Sequence, residues 1–180
     1  MFENKELRFE EDIETSLTTH GGWTSRKFKD LNYDGAIGLD SNQLLSFVKE
    51  TQSKNWERYE KIYQAKSEDQ FLRRFNESVD MQGLLHVLRH GFKDRGITFR
   101  VLYFKPVSAL NDETIRKYEA NRFYCVRQFA YDHYKAKSPK EIDIVLMING
   151  IPLVAMELKN QYTGQTVDNA KIQFQNDRDA

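Results

Sequence analysis

Asp143, Glu157 and Lys159 are of the types, and at the spacing, from which hydrolytic chemistry can be built. They stand near the two ends of EIDIVLMINGIPLVAMELKN, residues 141–160, which otherwise reads as two apolar strands turning at Asn149-Gly150. Charges on core strands are costly to bury unless they are paired or used. Glu157 and Lys159, two apart, project from one face of a strand, and Asp143 lies at the outer end of the partner strand. Two carboxylates and an ammonium at a sheet edge suit a hard cation such as Mg2+, which takes carboxylate oxygens, a backbone carbonyl from Leu158 and waters. The ammonium would then orient or help to deprotonate a coordinated water beside a phosphate, which is metal-assisted phosphodiester hydrolysis. The alternative is a carboxylate–lysine ion pair that satisfies only itself. Placement on buried strands weighs toward chemistry, because buried ion pairs stabilise weakly and functional sites tolerate their cost.

Parity sets a condition on this site. If Asn149-Gly150 were a simple two-residue turn, Asp143 would face Met156, and Asp143 and Glu157 would point to opposite sides of the sheet. For the carboxylates to share a cation, the hairpin must hold one extra residue, through a three-residue loop or a glycine bulge, or the strand must bend sharply at Asp143. An irregular hairpin is therefore expected, with Pro152 tolerating an interrupted ladder beside it.

The elements that must carry these residues are legible in outline. Phe9, Ile13 and Leu17 recur at helical spacing before Gly21-Gly22, so a first helix spans about 8–20. KDLNYDGAIGLD reads as a loop, with Asp40 or Ser41 capping a helix that carries Leu44, Leu45, Phe47 and Val48. The helical pattern continues from Trp56 to His90. After Gly91 the period changes, and ITFRVLYFKPV alternates as a strand. A short helix capped by Asn111 follows, then a strand RFYCVRQFAYDHY, the hairpin, and a closing helix that starts near Thr166. The hairpin strands are apolar on both faces, as strands in the middle of a covered sheet are. The fold class is thus α/β: a mixed central sheet flanked by helices, with a helical portion at about 40–90 and the sheet core at about 97–180 plus helix 8–20, all in one domain over 1–180.

Composition sets outer bounds. The chain has 180 residues, 39% hydrophobic and 30% charged, which is a globular rather than a disordered composition. Lys plus Arg equals Asp plus Glu at 27 each, so net charge argues neither for nor against nucleic acid. The single cysteine, Cys125, excludes an internal disulfide and a cysteine-rich zinc site, and it reads as a small buried hydrophobe. No apolar signal core or membrane-length run is present, so a cytoplasmic protein without membrane contact is expected. His86 and His90 are spaced i, i+4 on a helix, but no third ligand accompanies them and a surface role is expected. Arg89, Lys93 and Arg95 could touch phosphates or form a solvated turn. Arg127 and Gln128 could line the cleft, and His133 falls in a loop.

EIDIVL…ELK is similar to the PD-(D/E)XK nuclease signature. The longer runs GFKDRGITFRVLYFKP, YEANRFYCVRQF, IDIVLMINGIPLVAMELKN, YTGQTVDNA and QFQNDRDA resemble the N-terminal region of the restriction (R) subunit of type I restriction endonucleases. That resemblance implies a restriction-endonuclease-like core that cleaves double-stranded DNA with Mg2+, working beside methyltransferase and specificity subunits. In that family ATP serves the RecA-like motor domains, and no Walker A Gly-x-x-x-x-Gly-Lys occurs here, so the chain looks like a fragment of a longer one. It implies Asp143 and Glu157 as the metal-binding acids, with Leu158 between, and Lys159 as the catalytic lysine. A glutamate on the first helix matches Glu14 or Glu10, with Glu14 favoured. Gln173 matches a downstream glutamine, but Asp177 stands where the family has tyrosine, and Ile142 replaces the signature proline. A non-catalytic docking platform for the methyltransferase subunits and a stand-alone DNA-repair nuclease are the alternatives.

Overall fold

The structure is a computed structural model that describes residues 3–108, 110–132, 140–158 and 171. In chain order the elements begin with α1 (Glu3–His20), β1 (Thr24–Lys27), a 3-10 turn (Phe28–Asp30), β2 (Tyr33–Asp34), β3 (Leu39–Asp40), α2 (Ser41–Thr51) and α3 (Ser53–Tyr63). They continue with α4 (Ser67–Gln82), α5 (Leu84–His90), β4 (Phe92–Asp94), β5 (Ile97–Phe99), α6 (Asp112–Glu119), β6 (Phe123–Ala130), β7 (Glu141–Ile148) and β8 (Ile151–Met156). The expected mixed, helix-flanked sheet is present: four strands in the order β1-β6-β7-β8, with β1 parallel to β6. The residues divide into two compact units, Met1–Leu31 with Phe123–Met147 and Pro152–Ala180, and Asn32–Arg122 with Ile148–Ile151.

The first unit holds α1 and the sheet. Gly22, at φ 71°, supplies the left-handed conformation that ends α1 and lets the Trp23 amide return to the Leu17 carbonyl at 3.2 Å. β1 was not expected, because Thr24-Ser25-Arg26-Lys27 has no apolar alternation; it is held by its ladder to β6, in the register Thr24↔Tyr124 to Lys27↔Arg127. Ile144, Val145 and Met147 on β7 are buried on both faces, as anticipated for a central strand. The same expectation fails for β8. Among the described strands it is an edge strand, as β1 is at the other side, Val154 is 45% exposed, and Ala155 is exposed too. An outer strand fits Pro152: in a two-residue hairpin the pair flanking the turn exchanges the hydrogen bonds, so the next residue points its missing N–H away from the partner strand.

The second unit is organised by an aromatic cluster. Trp56, Tyr59, Phe71, Phe75, Phe92 and Phe99 are buried, and the Tyr59–Phe99 and Phe71–Phe99 rings meet edge to face, each pair 5.1 Å apart. Asp40, one of the two caps anticipated for α2, accepts from Gln43 N, and Asn111 caps α6 by accepting from Thr114 N, as anticipated. The long strand anticipated over 97–107 is corrected to three residues, Ile97–Phe99. Side-chain amides take the backbone groups that a ladder would have used. Gln52 bonds both Arg100 N and Arg100 O, Asn121 bonds Tyr103 N and O, and Asn149 Nδ2 donates to Val101 O at 2.9 Å. The anticipated loop at 29–40 contains the small β2–β3 hairpin. The closing helix near Thr166 lies outside the described residues.

The turn after β7 corrects the expectation of an irregular hairpin. Asn149 and Gly150 both have positive φ, 52° and 86°, the signature of a regular two-residue type I′ turn with no extra residue. Asn149 is fully buried and accepts from Arg122 N at 2.8 Å, while Gly150 O accepts from Asp40 N at 2.8 Å. A side chain at position 150 would meet the Asp40 carbonyl at 2.4 Å, so glycine is required there on space as well as on φ.

Candidate active site

A regular turn places Asp143 opposite Met156, and Met156 is the last residue of β8. The ladder ends one residue before Glu157. The Leu158 amide donates to Asp143 Oδ2 at 2.6 Å, so the backbone after β8 reaches the Asp143 side chain. The departure from the regular ladder therefore comes after Met156, at the end of β8, rather than at the turn. Asp143, Glu157 and Leu158 are all half-buried, and Oε1 of Glu157 is screened from solvent. The Leu158 amide orients Asp143, a role distinct from the carbonyl donation expected of that residue. Lys159, Gln173, Asp177 and His133 lie outside the described residues.

The second set of acids sits on α1 over the β1–β6 ladder. Register puts Ser25, Lys27, Cys125 and Arg127 on one face. A strand sends successive side chains to opposite faces, yet both Arg127 and its neighbour Gln128 reach Glu10. Gln128 has φ 51° in the middle of β6, a left-handed residue that kinks the strand as a bulge and turns both side chains to α1. Glu10, only 3% exposed, accepts from Arg127 Nε at 3.2 Å and from Gln128 Nε2 at 2.9 Å through both oxygens. Glu14 accepts from Arg127 Nη1 at 3.0 Å and from Ser25 Oγ at 2.5 Å. One guanidinium thus holds both candidate glutamates, in the planar fork geometry that suits arginine.

Electrostatics follow from that arrangement. Burial acts to lower the pKa of Arg127, but hydrogen bonds to Glu14 and Glu10 outweigh it and hold the guanidinium protonated. Burial, with the Glu14 charge adding to it, pushes the Cys125 thiol up to about 11, which keeps it inert as a packed hydrophobe. Glu14 also lines a cleft of about 430 Å³ whose other walls include Arg26, Lys27, Phe28 and Lys29. Glu10 is covered and Glu14 looks into open space. The cations of this cleft were not singled out in the sequence; their signal was three basic residues in four, on the unforeseen β1 and the turn after it.

The remaining candidates do not join this site. His86 and His90 are exposed on α5 with rings 4.6 Å apart, and among the described residues no group of three His, Cys, Asp or Glu gathers as for a metal. Arg95 Nε donates to Tyr63 Oη at 3.3 Å, while the Arg89 carbonyl accepts from Arg100. No helix among the described residues is long and apolar enough to cross a membrane.

Fold and site together define an α/β domain with a mixed, helix-covered sheet whose buried charge is gathered on α1, β6 and the ends of the β7–β8 pair. Over residues 10–180 the chain matches the family model of the type I restriction enzyme R protein N terminus, and it belongs to that family. No curated protein and no solved structure matched the chain. The family read from the quoted motifs is therefore the one to which the chain belongs, and membership supports a role in restriction.

Proposed function

We propose that this chain is the Mg2+-dependent endonuclease domain of a type I restriction R subunit, cleaving double-stranded DNA after ATP-driven translocation by that subunit's motor domains. The observation that carries the proposal is the 2.6 Å bond from Leu158 N to Asp143 Oδ2, which ties the first acid to the segment that bears Glu157 and leads into Lys159. Asp143 and Glu157 fit a hard cation: their donors are carboxylate oxygens, one already oriented by a backbone amide and one screened from water. Two protein carboxylates with waters is an ordinary ligand set for Mg2+, which keeps much of its hydration. When bound, Mg2+ would stabilise charge developing on the phosphoryl oxygens.

The chain's own residues would supply the rest. Lys159 would hold the attacking water and manage its proton as the oxygen adds to phosphorus and the P–O ester bond breaks, leaving a phosphate monoester and a hydroxyl. Glu14, held by Arg127 and Ser25, would orient water at the cleft side, and Gln173 would contact the DNA strand. The methyltransferase and specificity subunits would choose the sequence, because phosphate contacts carry position rather than sequence.

In the assembled restriction complex, Asp143→Ala, Glu157→Ala and Lys159→Ala should each abolish cleavage of plasmid DNA while ATP hydrolysis continues. Wild-type cleavage by all three variants would refute the assignment.

A further inference from the structure

We propose that the β1 cleft is a docking track for the backbone phosphates of duplex DNA, with Lys27 and Lys29 as its contacts. The nuclease proposal supplies the identity of the polymer; the cationic cleft stands without it. The walls carry four cations, Arg26, Lys27, Lys29 and Arg127, against one carboxylate, Glu14, in a chain of zero net charge. Arg127 is already committed to Glu10 and Glu14. The other three have no acidic partner among the described residues. Arg26 is fixed by stacking, its guanidinium 5.0 Å from the Tyr124 ring centre on the face away from α1, which leaves the cleft to the charges of Lys27 and Lys29. Lys27 and Lys29 are exposed.

Like charges without an ion-pair partner repel one another, and an anion lying across them relieves that repulsion. A small anion is bound tightly by desolvated donors in fixed geometry. Exposed lysines on either side of a half-buried Phe28 match a hydrated polyanion, which they bind by releasing its condensed counterions. Phe28, half-buried between the two lysines, gives the track an apolar floor, and its ring is held edge to face on Phe129 at 4.9 Å. Glu14 opens into the same cleft, so a strand lying in it passes one of the proposed catalytic carboxylates.

The test is binding of this chain to a labelled DNA duplex at low ionic strength, followed by fluorescence anisotropy over a range of salt. Three proteins are compared: wild type, a Lys27→Ala/Lys29→Ala double variant, and a Lys61→Ala/Lys66→Ala double variant that removes the same charge from exposed positions in the second unit. Arg26 is left in place because it packs on Tyr124. The cleft variant should bind more weakly, and the slope of log affinity against log salt should fall by about 0.9 for each lysine removed. The control variant should match wild type. Absence of binding by the wild type at low salt, an unchanged slope in the cleft variant, or an equal loss in the control would overturn the proposal. The two proposals fail separately. Cleavage that depends on Asp143 together with unchanged binding by the cleft variant would remove the track alone; lysine-dependent binding without Mg2+-dependent cleavage would remove the nuclease alone.

Discussion

The two units bury polarity in different ways. In the second, the buried polar side chains do structural work on the backbone: Asp40 caps a helix, and Asn121 and Asn149 bond carbonyls and amides of irregular chain. Neutral amides and caps cost little to bury when every donor is met. The first unit instead gathers charged groups in its buried and half-buried interior: Glu10, Glu14, Arg127, Asp143 and Glu157. Such groups add little net stability, and a strained φ at Gln128 is spent on placing two of their partners. The contrast separates a unit whose polar interior completes a fold from one whose polar interior keeps charge in fixed positions.

The largest effects should come from the hearts of the two units. Phe71→Ala removes a fully buried ring from the aromatic cluster and should cost about 3–5 kcal/mol in chemical denaturation. Arg127→Ala should cost a similar ~3–5 kcal/mol, for the different reason that Glu10 is left buried beside Glu14 without its cation. The discriminating measurement is the paired variant. Arg127→Met combined with Glu10→Met should recover much of that loss, whereas replacing Asn121 or Asn149 of the second unit by an apolar residue relieves no charge. If the double variant is as unstable as Arg127→Ala, the cost lies in packing and the contrast fails.

Asn149→Ala should have a smaller effect. It removes the acceptor for Arg122 N and the donor to Val101 O, and it asks alanine to hold φ 52°, for a loss of about 1–3 kcal/mol by thermal or urea unfolding. Asn149→Gly, which keeps the turn but loses the bonds, should sit between the two. Equal stability of all three proteins would show that the amide is dispensable.

These sites also mark what the sequence could carry. Caps at Asp40 and Asn111, the burial of Cys125 and the apolar runs of β6 and β7 are local signals, and each was legible. The bulge at Gln128 was not, since nothing in RFYCVRQF prescribes a left-handed glutamine; the pull of Glu10, more than a hundred positions away, satisfies it there. The strand anticipated over 97–107 dissolved for a related reason, since Gln52, Asn121 and Asn149 supply its hydrogen bonds from afar. For the candidate site, Asp143, Glu157 and the first-helix acids could be named from types and motifs. The place where the hairpin departs from regularity could not, because turn and strand end satisfy parity equally well on paper.

The smallest expected effect is at Cys125. With its thiol held up to about 11, the folded chain should resist thiol reagents at about pH 8, near the usual thiol range. The sign of the linkage is fixed. Above the unfolded value of about 8.5 the unfolded chain binds fewer protons than the folded one, so stability falls as pH rises from there toward about 11. Ready labelling of the native chain at about pH 8 would show an accessible thiolate and contradict the packing of β6 against α1.

The central claim is that Asp143 and Glu157 hold one hard cation despite a regular turn that sets their strands out of phase. Calorimetric titration of the chain with Mg2+, or with Mn2+ followed by electron paramagnetic resonance, tests it without requiring turnover. One divalent site should appear in the wild type, disappear in Asp143→Ala and in Glu157→Ala, and persist in His86→Ala/His90→Ala. Divalent binding that is unchanged in both acid variants would contradict the account.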